Sequence, residues 1–164
     1  MKKIIASFFV LSALLWSGWL VAKISEGFYD FSGKATAIES YTNEDRWTVV
    51  MFWASDCQVC NAESQQYVDF HHKHKDSGVQ MLGVSMDGLE NKEAAQQFID
   101  RNKVSFPNLI IDSQLGANFY TSNTGENWIG TPSFMVYAPK GELKAAQIGA
   151  VPTQLIEDFI SQSR

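Results

Sequence analysis

Apolar residues fall into three kinds of run along this chain, and each kind predicts a different element. Residues 4–22 (IIASFFVLSALLWSGWLVA) hold no charge and no polar stripe. At ~1.5 Å per residue they are long enough to cross a bilayer core as a helix. Residues 48–53 (TVVMFW) and 79–85 (VQMLGVS) are short and nearly continuous, the first rich in β-branched and aromatic side chains. Such runs predict strands, and 48–53 reads as one buried on both faces. Ala94, Ala95, Phe98 and Ile99 recur at helical spacing and predict a helix over 91–102.

Weaker patterns fill the spaces between these runs. A polar connector at 23–30 leads to residues 31–41, whose loose alternation around Ser32-Gly33-Lys34 predicts a short hairpin. The strand at 48–53 passes almost at once into a helix over 58–75. A third short strand is expected at 109–112, a short helix at 115–120, and a polar loop at 121–130 that ends in Thr131-Pro132. Residues 133–138 and 142–148 predict a hairpin around Pro139-Lys140-Gly141, and Pro152 opens a final helix to about residue 161. Strands alternating with helices, closed by a hairpin, indicate an α/β fold with a mixed central sheet flanked by helices.

Length adds the domain organisation: 164 residues hold one ordinary domain, expected at 31–164, behind a targeting or anchoring segment at 1–22. Lys2 and Lys3 before the apolar run keep that end in the cytoplasm, so the body is expected outside it. An uncleaved anchor is preferred to a cleaved signal peptide. Cleavage after Ala22 would put the bulky Leu20 where a small residue is needed, and Trp16 and Trp19 fall near the outer interface. With the two lysines set aside, 11 basic residues face 18 acidic ones, which leaves no basic face for nucleic acid.

There are two cysteines, too few for a multi-bridge scaffold, and they stand as Cys57-Gln58-Val59-Cys60 where the buried strand gives way to a helix. Free N–H groups and the positive end of the helix dipole favour a thiolate at Cys57, and Cys60 lies one turn on, close enough to bond it. Cys57 is thus the expected nucleophile and Cys60 the resolving thiol of a redox-active disulfide. A purely structural disulfide would constrain the unfolded chain little, because its loop is so short. A zinc site with His71, His72 and His74 fails on distance: on a continuous helix, His71 lies ~16 Å from Cys60. Those histidines are expected on a solvated helix end. Neither metal nor cofactor is expected.

The string Phe52-Trp53-Ala54-Ser55-Asp56-Cys57-Gln58-Val59-Cys60 resembles the active-site run of thioredoxin-fold proteins, and most closely their membrane-tethered TlpA/ResA-like branch. Glu63, three residues after the second cysteine, matches a carboxylate frequent in that branch. Thr131-Pro132-Ser133-Phe134 resembles its cis-proline loop, and Met51 stands where an ordinary thioredoxin has a buried aspartate. Asp56 replaces the usual tryptophan, and Gln58-Val59 the usual proline-containing pair; a carboxylate beside Cys57 opposes thiolate formation. Trp53 is expected to support the turn from beneath.

The resemblance implies a thioredoxin-like thiol–disulfide oxidoreductase acting on protein thiols and disulfides. A membrane thiol-transporting reductase would supply its electrons, periplasmic clients would take them, and cytochrome c maturation is one such setting. Glu63 shares a face with Cys60 by spacing, and the resemblance turns it from a solvated carboxylate into a proton carrier for that thiol. Thr131 and Pro132 would present backbone to substrate. Trp128 either grips a partner or packs over a sheet edge. A disulfide oxidase or isomerase would use the same residues. A copper metallochaperone of the same fold would need a three-residue gap between cysteines and a histidine in the facing loop, and a peroxidase a threonine shortly before Cys57; this chain has none of these.

Overall fold

The computed structural model of the protein describes residues 26–164. The apolar run at 4–22, expected as a membrane or signal helix, lies outside the described residues, as does the start of the connector. Among the described residues no helix is long and apolar enough to cross a membrane.

Seven strands form one sheet in the order β2-β1-β5-β4-β3-β6-β7. Its centre is β3 (Trp47–Trp53), parallel to β4 (Val79–Ser85), which is parallel in turn to β5 (Asn108–Ile110). On the other side β3 runs antiparallel to β6 (Ser133–Tyr137), and β6 to β7 (Leu143–Ile148). Antiparallel β1 (Phe28–Asp30) and β2 (Ala35–Thr36) complete the far edge. The helices are α1 (Glu39–Thr42), α2 (Gln58–His74), α3 (Lys92–Arg101), α4 (Ser113–Thr124) and α5 (Thr153–Gln162).

Strand β3 shows why its sequence is continuously apolar. Successive side chains point to opposite faces of a sheet. Trp47, Val49, Met51 and Trp53 enter one core with Tyr67 and Phe70 of α2, Phe98 of α3 and Ile156 of α5. Val50 and Phe52 enter a second core with Phe28, Ile38 and Tyr120. Both faces are covered, so every residue of β3 is buried.

The structure moves three of the weaker elements. The first hairpin is centred earlier than expected: its strands are 28–30 and 35–36, and 39–42 turn helical instead of extending it. The Asp30 carboxylate receives the N–H groups of Ser32 and Lys34 at 2.8 and 3.0 Å, and Gly33 takes a φ of +87°, so the turn chemistry rather than the alternation sets the position. The short helix expected at 115–120 spans Ser113–Thr124. Asp112, expected in a strand, caps it by accepting from the Gln114 and Leu115 N–H groups, and Gly125 closes it at φ +76°.

His71 also departs from expectation. It is buried, not solvated, and its Nδ1 accepts the Met81 N–H at 3.3 Å. Burial first, then the neighbouring His72 and Lys75, holds its pKa below the usual value, so it sits neutral between helix and sheet. His72 pairs with Ser105 and His74 with Glu157, so the three imidazoles diverge. Among the described residues no group of three or more His, Cys, Asp or Glu side chains is placed to hold a metal ion.

Candidate active site

Strand β3 ends at Trp53, and four residues later the chain enters α2, so the central strand delivers Cys57 to a helix amino terminus. Beneath the turn, Trp53 stacks on Phe98 with ring centroids 4.2 Å apart, and its Nε1 donates to Asn108 Oδ1 at 3.1 Å. Gly83 on the adjacent strand leaves room for that bond, since a Cβ there would approach Trp53 Nε1 to 2.9 Å and overlap the Asn108 amide.

Cys57 is the N-cap of α2, in extended conformation (φ −69°, ψ 108°). It is disulfide-bonded to Cys60 with the Cα atoms 5.2 Å apart, and its Sγ accepts the Cys60 N–H at 3.0 Å. The two sulfurs are unequal in access: Cys57 is half-buried, while Cys60 is 0% exposed in the core beside Met51 and Tyr67. On the 17-residue helix behind them, free N–H groups and the aligned peptide dipoles supply positive potential at Cys57. After reduction the same N–H can therefore stabilise a thiolate there.

Residues with no prominent signature in the sequence hold this turn. Asn61 donates to the carbonyls of Cys57 (2.9 Å) and Ser55 (3.3 Å), and its Oδ1 receives Arg101 Nη2 at 2.8 Å and Asn102 Nδ2 at 3.2 Å. Ser64, one turn further along α2, donates to Asn102 Oδ1 at 3.0 Å. From the other side, Asp87 receives both the N–H and the hydroxyl of Ser55. In sequence, Asn61, Asp87 and Asn102 look like ordinary polar residues; Asn61 reaches the turn from the first turns of α2, and only chain crossing brings Asp87 and Asn102 to it.

Glu63 is half-buried on α2 and accepts from Gln66 Nε2, its neighbour three residues on. Burial, with the charge of Glu63 added to it, raises the Tyr67 phenol to about 12. The Tyr67 hydroxyl donates to the Val151 carbonyl at 3.0 Å and accepts its N–H at 3.2 Å, joining α2 to the loop before α5.

The Thr131–Pro132 peptide bond is cis. Pro132 is buried, its carbonyl accepts the Gly149 N–H at 2.8 Å, and the next residue, Ser133, pairs with Phe52 of β3. A recess of about 430 Å³ opens between this loop and the cysteine turn. Ala54 and Asp56 line it on one side, Trp128, Gly130 and Thr131 on the other, and Asp87, Glu90 and Asp112 add carboxylates; none of its lining residues is basic. Trp128 packs on the core that holds Tyr120 and lines the recess, with its Nε1 buried and meeting no acceptor among the described residues. Its neighbour Ile129 is 81% exposed, which makes the loop apolar at its tip.

Comparison with known proteins places this geometry. Residues 24–146 match the AhpC/TSA family. The sporulation thiol-disulfide oxidoreductase A of Bacillus subtilis is 25% identical over 126 residues, which cover 75% of this chain and 72% of that protein. The thiol-disulfide oxidoreductase ResA of Oceanobacillus iheyensis is 36% identical over 118 residues, 72% of this chain and 57% of the relative. The crystal structure of StoA from Bacillus subtilis superposes with a TM-score of 0.60 over 82% of this chain and 97% of that one, at 22% identity. The thioredoxin domain of a Bacteroides vulgatus thiol-disulfide oxidoreductase gives 0.66 over 84% and 95%, at 20% identity. At these identities the structural matches show the fold.

Proposed function

The chain belongs to the AhpC/TSA family and is a thiol–disulfide oxidoreductase of the ResA and StoA type, and from that premise we propose that it works as a protein-disulfide reductase anchored outside the cytoplasmic membrane. The observation that carries the direction of attack is the difference in access between a half-buried Cys57 at a helix N-cap and a Cys60 with no exposed surface.

In the reducing half-cycle the Cys57 thiolate attacks a client disulfide. A Cys57–client bond forms, the client S–S bond breaks, and one client sulfur leaves as a thiolate that takes up a proton. Cys60 then gives up its proton and attacks Cys57 Sγ, expelling the second client sulfur and closing the Cys57–Cys60 disulfide. Two electrons have passed to the client. Glu63 is proposed as the carrier of the Cys60 proton, supported by its half-buried place one turn along the same helix. Thr131 and cis-Pro132 would offer backbone to an extended client segment, and Trp128 would line its path, supported by the recess that joins that loop to Ala54 and Asp56.

Residues 1–22 would hold the domain at the membrane through the residues that precede β1, supported by the uncharged run and its lysine flank. A membrane dithiol donor would then reset the disulfide, and apocytochromes awaiting haem are one fitting client class. Trapping tests this reading. A Cys60→Ala variant expressed in its host is expected to accumulate mixed disulfides through Cys57, absent in Cys57→Ala. An empty trap together with no insulin reduction by the wild type would overturn the assignment.

A further inference from the structure

Ser55, two residues before Cys57, is held at every polar group it has. Its N–H lies 3.1 Å from both carboxylate oxygens of Asp87, its hydroxyl donates to Asp87 Oδ1 at 2.6 Å, and its carbonyl accepts from Asn61. Asp87 stands just past β4, where the fully buried Ser85 hydroxyl donates to its Oδ2 at 2.6 Å. The carboxylate therefore meets three donors, and among the described residues no cation forms an ion pair with it.

The charges around the turn share its sign. Asp56 follows Ser55 directly, Glu90 and Asp112 line the same recess, and Glu63 lies on α2. The cation tied to the turn is Arg101 of α3, which reaches it from the opposite side through Asn61 Oδ1. We propose that Asp87 is a positioning residue of the redox pair: through Ser55 it fixes the turn that aims Cys57, and its negative charge biases the couple toward the disulfide. The proposal rests on the dithiol reading above and adds what sets the direction of electron flow.

Reduction of the disulfide creates a thiolate two residues from Ser55, and the turn closed by the Cys57 N–H on the Ala54 carbonyl at 3.1 Å keeps that sulfur ~10 Å from the carboxylate. Like charges disfavour that thiolate. At ~10 Å, effective dielectric constants between about 80 and about 20 correspond to a change in thiolate population from about twofold to about fifteenfold. A couple whose reduced form is less stabilised is the better reductant, the reverse of a strongly oxidising couple.

The test equilibrates the full-length protein, in detergent micelles, with glutathione buffers. Two glutathione thiols give two electrons and two protons to the protein disulfide and leave as glutathione disulfide, and the protein dithiol is counted by thiol-specific mass tagging. Asp87→Asn is expected to move the equilibrium at least threefold toward the dithiol, about 14 mV at 29.6 mV per tenfold. Ser55→Ala keeps the charge and the N–H bond, so it should move the equilibrium less than twofold while slowing insulin reduction. A shift under twofold in Asp87→Asn, or an equal shift in Ser55→Ala, would overturn the proposal. Should Asp87→Asn not fold, the wild-type equilibrium measured at 0.02 and 0.5 M salt decides: screening should move it at least twofold toward the dithiol, and no movement counts against the charge. A wild type that titrates with glutathione but leaves insulin oxidised would instead sink the reductase reading.

Discussion

Breaking the Cys57–Cys60 bond should cost the fold stability, and the size of that cost bears directly on which way electrons run. The closed loop is only four residues, from the sequence separation of three. On the chain-entropy account such a loop stabilises the folded protein by ~2 kcal/mol. Two features of the reduced state set the opposing side. The Cys57 sulfur keeps the Cys60 N–H and the helix terminus, worth about 0.3–1 kcal/mol to an anion there. Cys60, with 0% exposure, remains a well-packed small apolar group as a thiol. The oxidised protein should therefore be the more stable by ~1 kcal/mol. By the thermodynamic cycle linking folding and reduction, the native couple then lies ~20 mV below that of the unfolded chain. For a domain of this size the difference is about 3–5 °C in Tm. Melting followed by far-UV circular dichroism, with and without a phosphine reductant, reads it out, and a Cys57→Ala, Cys60→Ala double variant should show no response to the reductant. A reduced form melting at the same or a higher temperature than the oxidised one would mean that folding favours the dithiol, and the reductase direction would fail.

Three further outcomes are expected. Tyr67→Phe removes both bonds to the Val151 backbone from a phenol with 0% exposure and should destabilise by ~1–2 kcal/mol at neutral pH. Because burial raises that phenol to about 12, its contribution is complete below pH 10 and lost as pH climbs through 12; the variant should lose stability less steeply above pH 10 than the wild type, and parallel alkaline slopes would refute the assignment. His71 shows the opposite sign, since its folded pKa is depressed: stability present above pH 6.5 should fall as the medium is acidified below it, by at most ~1.4 kcal/mol per pH unit, and denaturant midpoints of His71→Phe should lose that slope. Gly83→Ala should cost ~2–3 kcal/mol by forcing apart Trp53 and Asn108 beneath the cysteine turn, and a Tm within 1 °C of the wild type would show that the sheet yields instead.

Strong local patterns were legible in the sequence. The run 48–53 and the helix that follows it are present as Trp47–Trp53 and Gln58–His74, and 79–85 is matched residue for residue by β4. Fully covered strands have no polar face to blur them, so hydrophobicity alone marks them. Capped polar helices lack that mark: the last turn of α4 reads as a loop because Thr121, Ser122, Asn123 and Thr124 are polar, yet Asp112 and Gly125 close its two ends. His71 misled because composition reports a charged helix end, whereas burial depends on which face meets β4.

The cysteine motif, its place at a strand-to-helix junction and the chemistry available there were determined by the residues themselves, since spacing along one turn of helix needs no long-range contact. Which sulfur is covered, which carboxylate holds Ser55 and which side chains hold Asn61 were decided only by the tertiary structure. Those partners come from the end of α3 and from just past β4, separated from the turn by tens of residues. Hydrogen bonds between such distant side chains leave no periodicity in the chain, because what aligns them is the packing of the sheet and helices around the turn.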